Sequence, residues 1–460
     1  MTRHTRHARS FIVSSVAAVC AMWGASQVAG CVHIGSDPIP EQMDFDPTAT
    51  PPRLPQPVAS LVNPDTGLLD LSLAGIEVPD DCENQDVMPE AQCEFYQFME
   101  QLDGFPTVMA ATAPVSASLD MSTLTMPSNL FILNSTRAGI VDATDVNLTF
   151  DATDNLLNIE PKNGWDLGST YVIAVRGYDD GVKTTDGTRI VTASTFYLLK
   201  QEESLTCDTQ SADEIPSDCK YLKLLGQQMD EQSARVNLVQ LEGIRQQLSP
   251  AFDAVSLLGE MPRDEVAMLW AVPIQSATVA ELQPTLGMLP QVSSSQDIMV
   301  PVKGPVNPAT VSRSTMANPD GTVVLLNLTK LANGDNVGGV PTFDATYLDG
   351  QGVGIHTEGP MIDGDLYCVI FSKSMRDPDF NSLVPSPVTV MLRARGELID
   401  ADGHSNVAEF SDADAAQLEV GRLQMKTLLD DPQFQALTRL KREDIVYLYA
   451  FTYPDPTTSD

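Results

Sequence analysis

The sequence predicts a mainly β protein built from two tandem β-sandwiches, each with a helical insert before its last strand. The first supporting observation is repetition, because Thr-Phe-Asp-Ala-Thr occurs at 149–153 and again at 342–346. The second is that short apolar runs alternate with turn residues about every 8 to 12 residues, as in sandwiches. The third is an apolar helical periodicity in each half, directly before an almost wholly apolar strand.

The repeat extends well beyond the shared pentapeptide. In order along the chain, it matches 119–124 to 306–311, 133–137 to 326–330, 168–171 to 364–367 and 263–271 to 442–450. The spacing between matched segments changes along the chain, as insertions in the loops between fixed elements produce. We therefore expect two copies of one domain, at 101–275 and 290–456, joined near 276–296.

The N-terminal residues 1–30 have the features of a secretory signal peptide. Three arginines precede an apolar stretch at 11–22 that contains no charged residue. This stretch is too short for a permanent membrane span, which needs roughly 20 apolar residues. The sequence therefore predicts an exported protein.

The end of this segment, Val28-Ala29-Gly30-Cys31, resembles the lipobox of bacterial lipoproteins. The resemblance implies that Cys31 carries diacylglycerol and anchors the protein to the membrane, and ordinary cleavage near Ser26 is the alternative. Stable anchoring takes two or more acyl chains or signals. We expect an envelope lipoprotein, placed at the outer membrane.

The composition is strongly acidic, with 62 Asp and Glu residues against 27 Lys and Arg residues and a formal net charge of −35. Binding to nucleic acid requires cations that displace counterions from phosphates, so nucleic acid is excluded as a partner. The acids are spread over both halves, which indicates a solvated surface. The expected partners are the membrane, through the lipid anchor, and an envelope protein or lipid.

The cysteines predict two local disulfides, since an exported chain meets an oxidising compartment. Cys82 and Cys93 form one close pair in sequence, and Cys207 and Cys219 form the other. Metal ligation is the rival interpretation, but no Cys-x-x-Cys pair occurs. Cys368 lies in an apolar, strand-like run and is expected to be a free, buried thiol.

The regions outside the sandwiches have distinct compositions. Residues 31–100 are expected to form a stalk that is rich in proline over 32–60 and ends in a short helix at 92–102. The helical inserts are predicted at 221–248, where Ser249-Pro250 ends the helix, and at 415–429. The closing strands, at 266–272 and 445–451, are apolar on both faces and should be buried on both.

The order of entry strand, central hairpins, Gly-x-x-Tyr strand and Asp-Gly turn resembles the bacterial Ig-like domain of S-layer and surface proteins. Leu102-Asp103-Gly104-Phe105-Pro106 after a proline-rich stalk, with the helical insert, is also similar to the N-terminal, non-catalytic region of virulence-factor-type surface lipases. The resemblance covers 100–455 and implies a binding or spacing role. Because the chain ends at Asp460, where such lipases begin their catalytic domain, no enzyme activity is expected.

The residues themselves supply no assembled catalytic site. Gly403-His404-Ser405-Asn406-Val407 comes nearest to a Gly-x-Ser-x-Gly elbow, but Val407 replaces the last glycine and the context is a turn. His33, His356 and His404 lack zinc-ligand spacing. We predict no catalytic, cofactor or metal residues and interpret 403–407 as a surface turn.

Two oxygen-rich turns, at 333–336 and 400–403, leave calcium as an alternative. Asp and Asn are also good turn formers, and the EF-hand pattern fails because Ser405 and Ser411 occupy the positions of its Gly and Glu. Plain turns are the preferred interpretation.

Two hypotheses for the function remain. The first is a non-enzymatic cell-surface lipoprotein that acts as spacer, adhesin or binding scaffold. The second is an accessory or degenerate relative of the surface lipases that binds lipid or a lipase partner. An exposed apolar cleft of several hundred Å² beside a helical insert would favour the second hypothesis, whereas a uniformly acidic surface would favour the first.

Overall fold

The computed structural model describes residues 40–46, 53–209, 211–225, 230–280, 291–292, 296–314 and 321–453. Over these residues the predicted mainly β fold class is confirmed, with mostly antiparallel sheets. The chain divides into two compact units: the first comprises 1–77 and 107–274, and the second comprises 78–106 and 275–460. Helix α1 (Glu90–Met99) thus belongs to the second unit although it precedes most of the first in sequence.

The first unit contains two antiparallel sheets and one parallel pair. The sheets have the strand orders β4-β3-β7-β9 and β2-β6-β5, and β1 pairs with β8 in parallel. The strands are β1 (Glu41–Met43), β2 (Ala111–Pro114), β3 (Leu130–Asn134), β4 (Gly139–Ile140), β5 (Val146–Asp151), β6 (Leu156–Pro161), β7 (Thr170–Arg176), β8 (Ile190–Thr192) and β9 (Val266–Pro273).

One hydrophobic core joins both sheets of the first unit to its helices. It includes Leu157 of β6, Ile173 of β7 and Phe252 of a helix, all of which are fully buried. Strands β3 and β9 are buried on both faces over nearly their whole length. This burial explains why their sequences are continuous apolar runs rather than alternating ones.

The helical insert of the first unit lies between β8 and β9 and contains α2 (Ser194–Leu199), α3 (Lys220–Leu225) and α4 (Glu231–Leu258). The expectation that the helix ends at Ser249-Pro250 is wrong, because α4 continues through Pro250. A proline inside a helix costs about 3 kcal/mol. The apolar face continues beyond it, since Phe252 and Val255 are fully buried in the core, and this packing offsets the cost.

The second unit repeats this arrangement. Its sheets have the orders β11-β12-β16-β15 and β14-β17-β19, and β10 pairs with β13 and, in parallel, with β18. The strands are β10 (Val279–Ala280), β11 (Gln291–Val292), β12 (Asp297–Val300), β13 (Val302–Lys303), β14 (Val323–Asn327), β15 (Phe343–Leu348), β16 (Gly352–Thr357), β17 (Leu366–Ser372), β18 (Val384–Pro385) and β19 (Ile445–Thr452).

The helices of the second unit, besides α1, are α5 (Leu328–Ala332), α6 (Pro387–Arg393), α7 (Asp412–Leu429) and α8 (Pro432–Thr438). Three of them lie between β18 and β19, as the insert of the first unit lies between β8 and β9. Ser411 caps α7 by accepting from the Asp414 amide, which places its start three residues before the predicted 415. The face of the β14-β17-β19 sheet that carries Val324 and Ile370 shares a core with Met425 and Phe434 of these helices.

The matched segments occupy equivalent positions, with one exception. Asp120 and Asn307 both cap short 3₁₀ turns, and β3 matches β14 residue for residue. The shared pentapeptide does not align, because 149–153 covers the end of β5 whereas 342–346 covers the start of β15. By strand pairing, Phe343 is equivalent to Val146, since each faces the last residue of the next strand.

The expected stalk needs correction in its described part. β1 pairs with β8, and Met43 is fully buried in the core of the first unit. Asp44 forms an ion pair of 2.8 Å with Arg53. Residues 40–46 and 53–77 are therefore part of the first unit because they supply apolar side chains and a strand edge. Residues 31–39 and 47–52, including the proposed anchor Cys31, lie outside the described residues.

Candidate functional site

The helical inserts contain two deeply buried ion pairs, one in each unit. On α4, Arg245 Nη2 lies 2.7 Å from Glu242 Oε1, and on α7, Arg422 Nη2 lies 2.6 Å from Glu419 Oε1. The side chain of Arg422 is 1% exposed and the other three are at most 10% exposed. Buried charges are costly unless they are paired and hydrogen-bonded, so these four side chains are expected to have a structural or functional role.

In the first unit, the pair binds the backbone of the loop that follows α2. Glu242 accepts from the Leu205 amide at 2.9 Å, and Arg245 donates to the carbonyl oxygens of Gln201 and Glu202, just after α2. These backbone groups lie in the loop beyond the helix, where buried amide and carbonyl groups require partners, and the two side chains supply them.

The second unit makes the same contacts after α6. Glu419 accepts from the Leu398 amide at 2.9 Å, and Arg422 donates to the carbonyl oxygens of Ala394 and Arg395. Both pairs come from the same motif, a Leu-Glu followed by Arg three residues after the Glu. This recurrence was visible in the sequence but was not used in our prediction.

The charge states follow from these contacts. Burial raises the pKa of Glu242, but hydrogen bonds from Arg245, the Leu205 amide and Gln246 lower the pKa below its usual value of 4.5. Burial and hydrogen bonds from Arg422 and the Leu398 amide act on the pKa of Glu419 in the same way. Both carboxylates are therefore charged at neutral pH and do not act as proton donors there.

A second buried cation also recurs. Lys200, directly after α2, donates to the carbonyl oxygens of Asp264 at 2.6 Å and Val266 at 3.1 Å. Arg393, the last residue of α6, donates to the carbonyl oxygen of Arg442 at 2.9 Å and to that of Ile445. In each unit the cation thus fixes the turn before the closing strand.

Lys200 also contacts Tyr178, with 2.9 Å between Nζ and Oη, and burial lowers the pKa of this lysine to about 8. A lysine of lowered pKa next to a tyrosine is a candidate acid–base pair. Arg393 occupies the equivalent position and also bonds the carbonyl of the first residue of the closing strand, and burial lowers its pKa to about 10. This equivalence favours a structural role for Lys200.

The Gly-x-x-Tyr motif forms the same corner in both units. Tyr171 Oη accepts from the Asp166 amide at 3.0 Å, and Tyr367 Oη accepts from the Ile362 amide at 2.9 Å. A tyrosine that bonds the backbone a few residues upstream is a hallmark of Ig-like sandwiches.

The first unit has an open cavity of about 580 Å³ beside its helical insert. Its inner part is formed by buried leucines of α2, α3 and α4, and Tyr197 and Leu224 at its rim are 49% and 45% exposed. Thr192 Oγ1 is buried there without a hydrogen-bond partner among the described residues. The lining residues are Gln42, Tyr178, Val191, Thr192, Ser194, Thr195, Tyr197, Leu198, Leu224, Leu225 and Leu241.

The chemistry of this cavity suits binding. Its described lining contains leucines, tyrosines and hydroxyl groups but no carboxylate, histidine or cysteine. Apolar walls with a few polar groups are typical of small-molecule sites, in which the polar groups orient the ligand. This cavity is the candidate for the apolar cleft that would favour the second functional hypothesis, but its exposed apolar surface is well below several hundred Å².

Both predicted disulfides are present, Cys82–Cys93 in the second unit and Cys207–Cys219 in the first. Cys368 on β17 is free and fully buried, as expected. Burial raises the pKa of its thiol to about 12, which makes the thiol unreactive in the folded protein.

The segment 403–407 forms a turn in which Ser405 Oγ donates to the Val407 carbonyl at 2.7 Å. His404 Nδ1 lies 3.1 Å from Asp412, and the imidazole is about half exposed. A serine nucleophile needs its hydroxyl aimed at a base, whereas this hydroxyl faces the backbone.

The oxygen-rich turns use their carboxylates internally. Asp400 accepts from the amides of Asp402 and His404, and Asp335 accepts from that of Gly338. Within the described ranges, no three His, Cys, Asp or Glu side chains form a group suited to a metal ion. Among the same residues, none of the helices has the length and apolar character of a membrane span.

Comparison with known proteins gives little information. No protein-family profile and no characterised protein matches the chain. Among solved structures, the N-terminal part of the bacterial S-layer protein SbsC is similar at 15% identity with a TM-score of 0.15, over 19% of each chain. The S-layer protein rSbsC(31-844) is similar at the same identity and TM-score, over 19% of this chain and 11% of that one. The chain spans less than a fifth of either protein.

Proposed function

We propose that this protein is an exported, non-enzymatic cell-surface lipoprotein that acts as a binding scaffold. The main support for a non-enzymatic role is that the buried charged side chains recur in both units. Glu242–Arg245 and Glu419–Arg422 hold equivalent loops, and Lys200 and Arg393 hold equivalent turns. Groups that bond the same backbone atoms in two copies of a domain are explained by folding alone, without a reaction.

The anchor rests on the sequence Val28-Ala29-Gly30-Cys31 and on the charged and apolar segments before it. The experiment compares palmitate labelling and detergent partitioning of the full chain with those of Cys31→Ala. We expect the variant to lose both properties. Cys20→Ala, which removes a cysteine inside the signal segment, is the matched control and should keep both. Unchanged labelling of Cys31→Ala would refute the anchor.

The absence of catalysis is tested with short- and medium-chain nitrophenyl esters. We expect hydrolysis no faster than the buffer rate, because the Ser405 hydroxyl bonds the Val407 carbonyl. Activity that disappears in Ser405→Ala or His404→Ala but survives in Ser312→Ala would overturn this part of the proposal.

A second candidate function, binding of lipid, is favoured by the cavity of about 580 Å³ in the first unit. A fluorescent fatty acid titrated into the protein provides the test. Leu224→Asp places a carboxylate on the rim, which an apolar ligand must desolvate, so we expect affinity to fall at least about tenfold. Leu423→Asp, on an equally exposed leucine of α7, is the control and should bind normally. Equal affinities for both variants would exclude this cavity as the site.

A further inference from the structure

Two short basic tracts of the second unit meet at one cavity. Arg395 ends the tract Arg-Ala-Arg that begins at the last residue of α6, and 439–442 reads Arg-Leu-Lys-Arg before β19. Both tracts line an open cavity of about 440 Å³. Four cations line it against two acids, although acids outnumber cations by 62 to 27 in the whole chain. The full lining is Arg395, Leu429, Asp430, Gln435, Arg439, Leu440, Lys441, Arg442 and Glu443.

One of the four cations is used by the fold. Arg442 is 10% exposed, lies 2.6 Å from Asp430 and donates to the Arg393 carbonyl at 2.8 Å. It therefore helps to hold the end of α6 and is not free to bind a ligand with its whole guanidinium group.

The other three cations are held weakly. Arg395 lies 3.6 Å from Glu94 with 54% of its side chain exposed, and Lys441 lies 3.9 Å from Glu443 with 77% exposed. Arg439 is exposed and forms no ion pair with any described residue. Exposed ion pairs contribute about 0–1 kcal/mol, so stability does not account for this concentration of charge.

The first unit has acids at the positions of the two arginines. Arg245 bonds the carbonyl of Glu202 as Arg422 bonds that of Arg395, so these two positions are equivalent. Glu260 is equivalent to Arg439, because each lies three residues before the arginine that starts the turn preceding the closing strand.

The backbone conformation is also the same at Glu260 and Arg439. Glu260 has a φ of 49° and Arg439 a φ of 55°, which is the left-handed region that non-glycine residues seldom adopt. This left-handed position accepts Glu in the first unit and Arg in the second, so the positive charge of Arg439 is not needed for its backbone conformation.

We propose that this basic cavity of the second unit binds a phosphate-type anion, either a free phosphate or an anionic lipid headgroup. Guanidinium groups suit this class because they present several N–H donors in a planar fork that matches phosphate oxygens. The acidic surface repels extended polyanions. It has little effect on a compact anion in the basic cavity, because salt screens acids that lie more than a Debye length, about 8 Å, from that anion. The inference is independent of the proposed scaffold function.

The test uses pyrophosphate titrated into mature protein by calorimetry, at constant ionic strength. The variant Arg395→Glu/Arg439→Glu installs the residues of the first unit and should lose at least about tenfold in affinity, with circular dichroism checking that it folds. Arg439→Glu alone leaves the Arg395–Glu94 pair intact and should also weaken binding. Lys162→Glu/Lys223→Glu, which makes the same charge change at exposed lysines of the first unit, is the control and should bind as the parent does. Equal losses in the two double variants, or no binding by the parent at millimolar pyrophosphate, would overturn the proposal.

The source of the anion is separated with vesicles. Mature Cys31→Ala protein, which lacks the anchor, is mixed with vesicles of phosphatidylcholine alone or with phosphatidylglycerol. Binding to the anionic vesicles that pyrophosphate displaces assigns a headgroup, whereas binding of pyrophosphate alone assigns a free phosphate. Vesicle binding that Arg395→Glu/Arg439→Glu leaves unchanged would count against the cavity.

Discussion

The two units use the same interior contacts and carry different surfaces. In both, a Glu and an Arg on the long helix hold the loop after a short helix, and a tyrosine fixes the corner before the central strand. Beside these contacts, the first unit has an apolar cavity of about 580 Å³ and acids at 202 and 260, whereas the second has a basic cavity of about 440 Å³ and a smaller apolar one of about 230 Å³. Interior residues are retained because buried backbone groups require partners. Surface residues without such a task are free to diverge toward separate ligands.

The largest expected effect is the loss of a buried arginine. Arg245→Met and Arg422→Met each leave a buried carboxylate without its partner, which costs about 3–5 kcal/mol. We expect the larger loss for Arg422, whose side chain is 1% exposed against 10% for Arg245. Urea unfolding followed by circular dichroism measures both.

Tryptophan fluorescence assigns each loss to a unit. Outside the signal segment, the tryptophans are Trp165 and Trp270, and both lie in the first unit. Arg245→Met should therefore move the fluorescence transition and Arg422→Met should not. Arg263→Met removes a mostly buried arginine that bonds Ser249, and its partner Asp253 is exposed, so it bounds the effect of losing an arginine without leaving a buried carboxylate unpaired. Equal shifts for both would mean that the units unfold together.

The next effect concerns the disulfides, which close loops of similar length. Removing either one should cost about 2–4 kcal/mol. Cys82→Ser/Cys93→Ser should destabilise the second unit, because α1 packs there, although these residues precede most of the first unit in sequence. Cys207→Ser/Cys219→Ser should move the tryptophan transition instead. The reverse assignment would contradict the placement of α1.

A smaller effect is expected for the tyrosine corners. Tyr171→Phe and Tyr367→Phe leave the amides of Asp166 and Ile362 without their acceptor, which costs about 1–3 kcal/mol. Similar losses in the two units, measured by urea unfolding, would support equivalent roles. Tyr197→Phe, at an exposed rim position, should change stability by less than about 0.5 kcal/mol.

The sequence predicted the buried strands and the disulfides, but not the buried ion pairs or the cavities. Apolar runs such as β9 and β19 are local signals, so their burial could be predicted, whereas the Gly-x-x-Tyr motif predicted a strand but not the hydrogen bond of its tyrosine. The continuation of α4 past Pro250 could not, because it depends on Phe252 reaching a core formed by distant strands. The burial of Met43 depends in the same way on β8. The shared pentapeptide suggested an alignment of β5 with β15 that is wrong by four residues, because it matches Phe343 to Phe150 and strand pairing matches Phe343 to Val146. The error preserves the apolar pattern, since a shift by an even number of residues keeps the same strand face.

The apolar cavity of the first unit and the basic cavity of the second could not be predicted from the sequence either. Each is lined by segments that are far apart along the chain, such as Gln42 with Leu241 in the first unit and Arg395 with Arg439 in the second. The composition does not reveal the basic cavity, because four cations make little difference to a chain with a net charge of −35. The charge reversal becomes visible only when hydrogen bonds establish which positions of the two units are equivalent.

The smallest expected effect is an alkaline stabilisation confined to the first unit. The folded pKa of Lys200 is lowered to about 8 from 10.5 by burial, so between these values the unfolded chain binds more protons than the folded one. Stability therefore rises with pH over this window, by about 1 kcal/mol between pH 7 and pH 9. The equivalent Arg393 has a pKa of about 10 and contributes nothing there. Urea midpoints from tryptophan fluorescence should rise for the parent and stay flat for Lys200→Met, and a parallel rise in both proteins would assign the effect to other groups.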